Sequence, residues 1–142
     1  MLAPIDQQVG DFSFAVPLRA IDHLSVRGCD TTLTLLATKT VEPDDPYMAA
    51  HFPGFTIFPG VFILEGLRQG VITALGKRNK QLPEIRTVRS LHFSAPLLAG
   101  DQMTLEAVIE KGSGEHTFEV KASCRRRDGV TAAQLKVEFA YA

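Results

Sequence analysis

The chain has 142 residues, 45% hydrophobic and 22% charged, with a formal net charge of -1 at pH 7. That length suits one domain, 1–142, and the near-neutral charge gives no support to a dedicated nucleic-acid binder, which is usually basic overall. The two cysteines, Cys29 and Cys124, lie far apart with neither metal-ligand spacing nor a disulfide-scaffold pattern, so they read as ordinary thiols of a reducing, cytoplasmic compartment.

Residues 1–10 have no basic region followed by an apolar one, and no signal peptide is expected. Phe12, Phe14 and Val16 alternate with small residues, a short strand ended by Pro17. A second strand covers 18–26, Gly28-Cys29-Asp30 is a turn, and 31–41 is a strand with Leu33, Leu35 and Ala37 on one side. These last two strands form a hairpin. Pro43 and Pro46 break the pattern, and 47–50 reads as a short helical turn.

Residues 51–60 are stiff, with Pro53, Gly54, Pro59 and Gly60 closely spaced. They feed an apolar helix from Pro59 to about Leu75 or Gly76, roughly 25 Å long at about 1.5 Å per residue. Its apolar positions cover most of the circumference, which predicts a largely buried helix. The apolar run is broken by Glu65, Arg68 and Gln69 and falls short of the roughly 20 residues of a membrane span. Gly66 and Gly70 share a face and cost helix stability, about 1 kcal/mol each relative to Ala. Close packing against a sheet or a partner helix is a reason to keep them.

Gly76 followed by Lys77, Arg78 and Lys80 ends the helix. Four strands follow, at 85–94, 102–111, 115–126 and 131–140, read as an antiparallel meander with turns at Gly100-Asp101, Gly112-Ser113-Gly114 and Asp128-Gly129. The sum is an α+β domain in which a curved antiparallel sheet wraps one long buried helix. One small sheet leaves part of an all-round apolar helix uncovered, which points to a homodimer.

Three positions carry candidate chemistry. His51 is either a structural cap of its loop or a general base near neutral pH. Glu65 either sits at the solvated edge of the helix, paired with Arg68, or is a buried acid whose rotamer is fixed by Gln69 one turn on. Gly60 either permits the turn or offers its N–H, at the positive end of the helix, to a carbonyl oxygen. Together they suit proton removal beside the carbonyl of an apolar substrate, as in loss of a β-hydroxyl. Nothing in the sequence resembles a metal site, a phosphate-binding glycine loop or a serine-nucleophile motif. His23, His92 and His116 read as surface or packing residues. The run Arg125-Arg126-Arg127 reads as a solvated hairpin end, or, with Arg68, Lys77, Arg78 and Lys80, as a dock for an acidic partner.

The motif His51-Phe52-Pro53-Gly54, Pro59-Gly60-Val61, then Glu65 and Gln69, resembles the signature of the hot-dog-fold (3R)-hydroxyacyl-acyl-carrier-protein dehydratases (FabZ-like) of fatty-acid synthesis. Residues 40–47 and the Phe93, Pro96, Gly100-Asp101 turn extend the likeness over nearly the whole chain. The resemblance implies a hot-dog fold, with His51 taking the C2 proton and Glu65, from the other subunit, assisting loss of the C3 hydroxyl. It implies that the Gly60 N–H holds the thioester carbonyl, that Gln69 orients Glu65, and that Phe58, Phe62 and Phe93 line an apolar tunnel. It further implies an acyl carrier protein as partner, no cofactor beyond the carrier's phosphopantetheine, and a homodimer, in some members a trimer of dimers. Thr56, Phe58, Gly66, Arg68 and Ala99 depart from the common pattern, which fits a paralogue serving polyketide or specialised-lipid synthesis. A hot-dog acyl thioesterase and a non-catalytic carrier-binding scaffold are the competing readings. The dehydratase reading requires His51 and a partner-chain Glu65 to converge; a Glu65 locked to Arg68 away from His51 contradicts it.

Overall fold

Strict alternation makes most of the sheet. In Gln102–Lys111 (β4), Met103, Leu105, Ala107 and Ile109 face inward and are at most 2% exposed, as alternation with Thr104, Glu106 and Glu110 dictates. The structure, a computed structural model, describes residues 19–28, 31–43 and 58–142. The expected strand at 12–16, the helical turn at 47–50 and the His51 loop lie outside the described residues, as does Cys29.

The other strands are His23–Gly28 (β1), Thr32–Thr40 (β2), Glu84–Phe93 (β3), Thr117–Arg125 (β5) and Thr131–Ala140 (β6). The helix Gly60–Leu75 (α1) connects β2 to β3. One antiparallel sheet runs β1-β2-β4-β5-β6-β3. The expected four-strand meander is thus corrected: β4, β5 and β6 meander, whereas β3 crosses to the far edge and pairs with β6. Cross-strand partners share faces, so Leu35, Ala107, Ala122 and Leu135 form one inward row that continues to Leu91.

The expectation of a curved sheet wrapped around a buried helix is also corrected. The sheet is open: among the described residues β1 and β3 are its edges, each paired on one side only, and α1 lies on one face against β2, β3 and β4. Six strands span roughly 24 Å and one helix about 10–12 Å, so without closure the helix covers only part of the apolar face. Seven of the sixteen helix residues are buried, while Val61 is 61% exposed. Across the gap, Val88, Leu91 and Phe93 of β3 are also exposed.

The two helix glycines seat α1. A Cβ on Gly66 would stand 3.2 Å from the Ala20 carbonyl oxygen, and one on Gly70 would stand 3.1 Å from Leu35 Cδ1. The helix ends as its sequence dictates: Gly76 has φ 70° and its N–H donates to the Ile72 carbonyl at 2.8 Å. The Tyr141 hydroxyl donates to the Gly76 carbonyl at 2.7 Å, and the Arg78 guanidinium lies 4.5 Å from the Tyr141 ring centre. No helix among the described residues is long and apolar enough to cross a membrane.

Candidate active site

The site is built on the first two and a half turns of α1. Pro59 occupies the N-cap with φ -60° and ψ 129°, and among the described residues no side chain caps the helix. Pro at a helix start gives up an N–H that would have no partner in any case, and it leaves the next donor, Gly60 N–H, at the positive end of the dipole. Phe58 is held in front of this turn by donating its N–H to the Leu97 carbonyl at 2.7 Å. Phe58 is buried, and its ring meets Phe62 edge-on at 5.7 Å. A cleft of about 440 Å³ opens at this end, lined by Phe58, Gly60, Val61, Phe93 and Leu97 among others. The Phe93 ring lies flush on Gly60: a Cβ there would be 2.7 Å from Phe93 Cζ. Phe58, Gly60 and Phe93 thus share one apolar cleft, whereas Phe62 packs edge-on against Phe58 and does not line it. A larger hollow of about 770 Å³ beside the far end of the helix, next to Arg78, Lys111 and His116, holds none of the expected site residues.

Glu65 lies one and a half turns along α1 and is half-buried. Gln69 Nε2 donates to Glu65 Oε2 at 3.0 Å, and Arg68 Nη1 donates to the same oxygen at 3.2 Å. Glu65 thus pairs with Arg68 and also accepts from Gln69, and its side chain stays about a third exposed instead of fully buried. Gln69 is itself buried, and its Oε1 accepts the Ala20 N–H at 3.1 Å. Arg68 reaches on to Glu84 on β3, Nη2 to Oε1 at 3.4 Å. Two anchors were hidden from sequence inspection. A backbone N–H such as that of Ala20 leaves no side-chain signal, and Glu84 starts a strand 19 positions after Glu65. The Ala20 segment is fixed in turn by Asp22, whose Oδ2 accepts the Thr40 N–H at 2.8 Å and whose Oδ1 lies 3.6 Å from the buried Lys39 Nζ.

Residues 29–134 match the ApeI-like family, described as ApeI dehydratase. The chain belongs to the ApeI-like dehydratase family. Among similar proteins, the 3-hydroxyacyl-acyl-carrier-protein dehydratase FabZ of Ruminiclostridium cellulolyticum is 34% identical over 110 residues, 75% of each chain. The FabZ of Wolbachia is 35% identical over 99 residues, covering 67% of this chain and 69% of the relative. Among solved structures, the dehydratase heterocomplex ApeI:P from Xenorhabdus doucetiae superposes with TM-score 0.59 at 19% identity, over 83% of this chain and 94% of that one. A single-residue mutant of the fluoroacetyl-CoA-specific thioesterase FlK superposes with TM-score 0.66 at 12% identity, over 82% and 90%. At such identities the likeness is one of fold. This ApeI-like chain is accordingly an enzyme of the hot-dog dehydratase and thioesterase superfamily.

The basic groups considered for an acidic partner do not form one patch. Arg78 stands beside Phe118 near the start of β5, and Arg126 donates to the Pro96 carbonyl just past its end. About 26 Å of strand separates them. Arg68 is engaged with two glutamates, and Arg126 with Asp128, whose carboxyl it holds below the usual range through their hydrogen bond.

Proposed function

We propose that this ApeI-like protein dehydrates (3R)-hydroxyacyl thioesters on an acyl carrier protein to trans-2-enoyl thioesters, in fatty-acid or specialised-lipid synthesis. The observation that carries the reading is the Glu65 carboxyl, held by Gln69 on the helix whose first turn opens onto an apolar cleft. A carboxyl braced at this point suits protonation of a leaving hydroxyl, and the relatives matched over most of the chain bear the dehydratase name.

In this mechanism His51 takes a proton from C2 while the thioester carbonyl accepts a hydrogen bond from Gly60 N–H. The electron pair of the C2–H bond becomes the C2–C3 double bond. The C3–O bond breaks, and the hydroxyl leaves as water with a proton from Glu65. The Phe58 and Phe93 cleft receives the acyl chain. The protein acts as a homodimer through its open β3 edge, with Glu65 serving the partner's His51. The carrier is met by the turn after β5, where the exposed Arg125 and Arg127 flank Arg126, whose contact with Pro96 sets the turn at the rim of the cleft.

The test is conversion of 3-hydroxybutyryl and longer carrier-bound thioesters, followed as loss of water, and the reverse hydration. His51→Ala and Glu65→Gln should each lower kcat by about 10²–10⁴, the range for removal of a general acid or base, with folding unchanged by circular dichroism. Release of free thiol from acyl thioesters without dehydration would replace this reading with hydrolysis.

A further inference from the structure

Glu65 has two carboxyl oxygens in unequal surroundings. Both described donors, Arg68 Nη1 and Gln69 Nε2, converge on Oε2. Among the described residues none donates to Oε1. A carboxylic acid has one carbonyl oxygen and one hydroxyl oxygen, and N–H donors favour the former because they need an acceptor. Two such donors on Oε2 therefore make it the carbonyl oxygen whenever the group is protonated, and place the proton on Oε1. We propose that Arg68 is a positioning residue for the dehydration, fixing Glu65 so that Oε1 alone faces the departing hydroxyl; this rests on the function proposed above.

The geometry gives Arg68 little other use. Its pair with Glu65 is about a third exposed on both sides, and exposed pairs at this helical spacing contribute little to stability. Its second contact, to Glu84 on β3 at 3.4 Å, is an exposed pair as well and contributes little to stability for the same reason. Gln69 alone supplies one donor to Oε2. Arg68 adds a second, charged donor from another direction, so the carboxyl is held from two sides and turns less readily to present the other oxygen. A displaced acid affects the bond-breaking step and leaves substrate binding intact.

The experiment compares wild type, Arg68→Ala and Arg68→Lys in the dehydration and hydration assays, with a thermal melt of each. Arg68→Ala should lower kcat about tenfold while KM stays within about twofold. Arg68→Lys, which keeps a cation and a donor at the same helical spacing, should recover most of the loss. Both melts should stay close to wild type. An active wild type with unchanged kcat in Arg68→Ala overturns the positioning role and leaves the proposed function standing. So does an equal loss in both variants that tracks a lowered melting midpoint, which would make the pair structural. An inactive wild type overturns the proposed function and the positioning role together.

Discussion

At the scale of single residues, burial decides what Cys124 can do. It lies in β5 between Leu105 and Ala133, fully buried, and loss of solvation pushes its thiol up to about 12 from 9.0. The thiolate is the reactive form, so in a Cys29→Ser background the folded protein should react with a thiol reagent at pH 8 only as fast as it opens. One equivalent should react promptly in denaturant. The same shift has a pH signature. Between pH 9.0 and about 12 the unfolded thiol has lost its proton and the folded one has kept it, so stability falls as pH rises through that window and is unaffected below it. The loss is on the order of 4 kcal/mol at one pKa unit per about 1.4 kcal/mol. Urea titrations at pH 8 and pH 11 should converge for Cys124→Ala relative to wild type; equal slopes against pH in the two proteins would refute the assignment.

At the scale of elements, the helix glycines separate packing from positioning. Ala in place of Gly gains helix propensity, about 1 kcal/mol, against an overpacking cost of about 1–3 kcal/mol. At Gly70 the obstacle is the tip of the buried Leu35; at Gly66 it is the backbone carbonyl of Ala20, the residue whose N–H anchors Gln69. Gly66→Ala should therefore cost more turnover than Gly70→Ala even where their urea midpoints are alike, because only the former disturbs the brace on Glu65. Equal kcat values would show that the Ala20 anchor is dispensable. The same elements mark what sequence reading can reach. Period-2 strands such as β4 and β6, and the helix bracketed by Pro59 and Gly76, were legible because one local rule sets each of them. The start of β5 was not: His116 has φ 63° and belongs to the turn, so the strand begins at Thr117, not at 115. In β3 the inward residues Ile85, Val88 and Leu91 are spaced by three, because register shifts after Ile85 and after Val88 reset the alternation. No local pattern announces that β3 will cross the sheet to β6. The Glu65–Gln69 bond was legible from helical spacing, whereas its anchor at Ala20 depends on how α1 sits on the chain before β1.

At the scale of the whole molecule, the open sheet leaves an unusual edge. Val88, Leu91 and Phe93 of β3 are 41%, 38% and 47% exposed, although their cross-strand partners on β6, Val137, Leu135 and Ala133, are core residues. The outer backbone of β3 pairs with no other described strand, and an apolar edge strand with free N–H and C=O groups is a template for another strand. Val61, 61% exposed on the helix, faces solvent as well. A second copy pairing β3 with β3 in antiparallel fashion would continue the sheet, cover these side chains and, in the proposed mechanism, bring Glu65 to the partner's His51. Leu91→Lys is the informative change, because a charge on an edge strand opposes pairing; Leu91 is 38% exposed, so the lysine can reach solvent, and a thermal melt checks that the ladder to β6 holds. The substitution should convert a dimer to a monomer in analytical ultracentrifugation and lower dehydratase turnover in proportion to the dimer lost. A monomeric wild type would remove the dimer; a variant that stays dimeric would place the interface elsewhere. If the monomeric variant keeps full turnover, His51 and Glu65 act within one chain, and it is the shared site, not the chemistry, that must be given up.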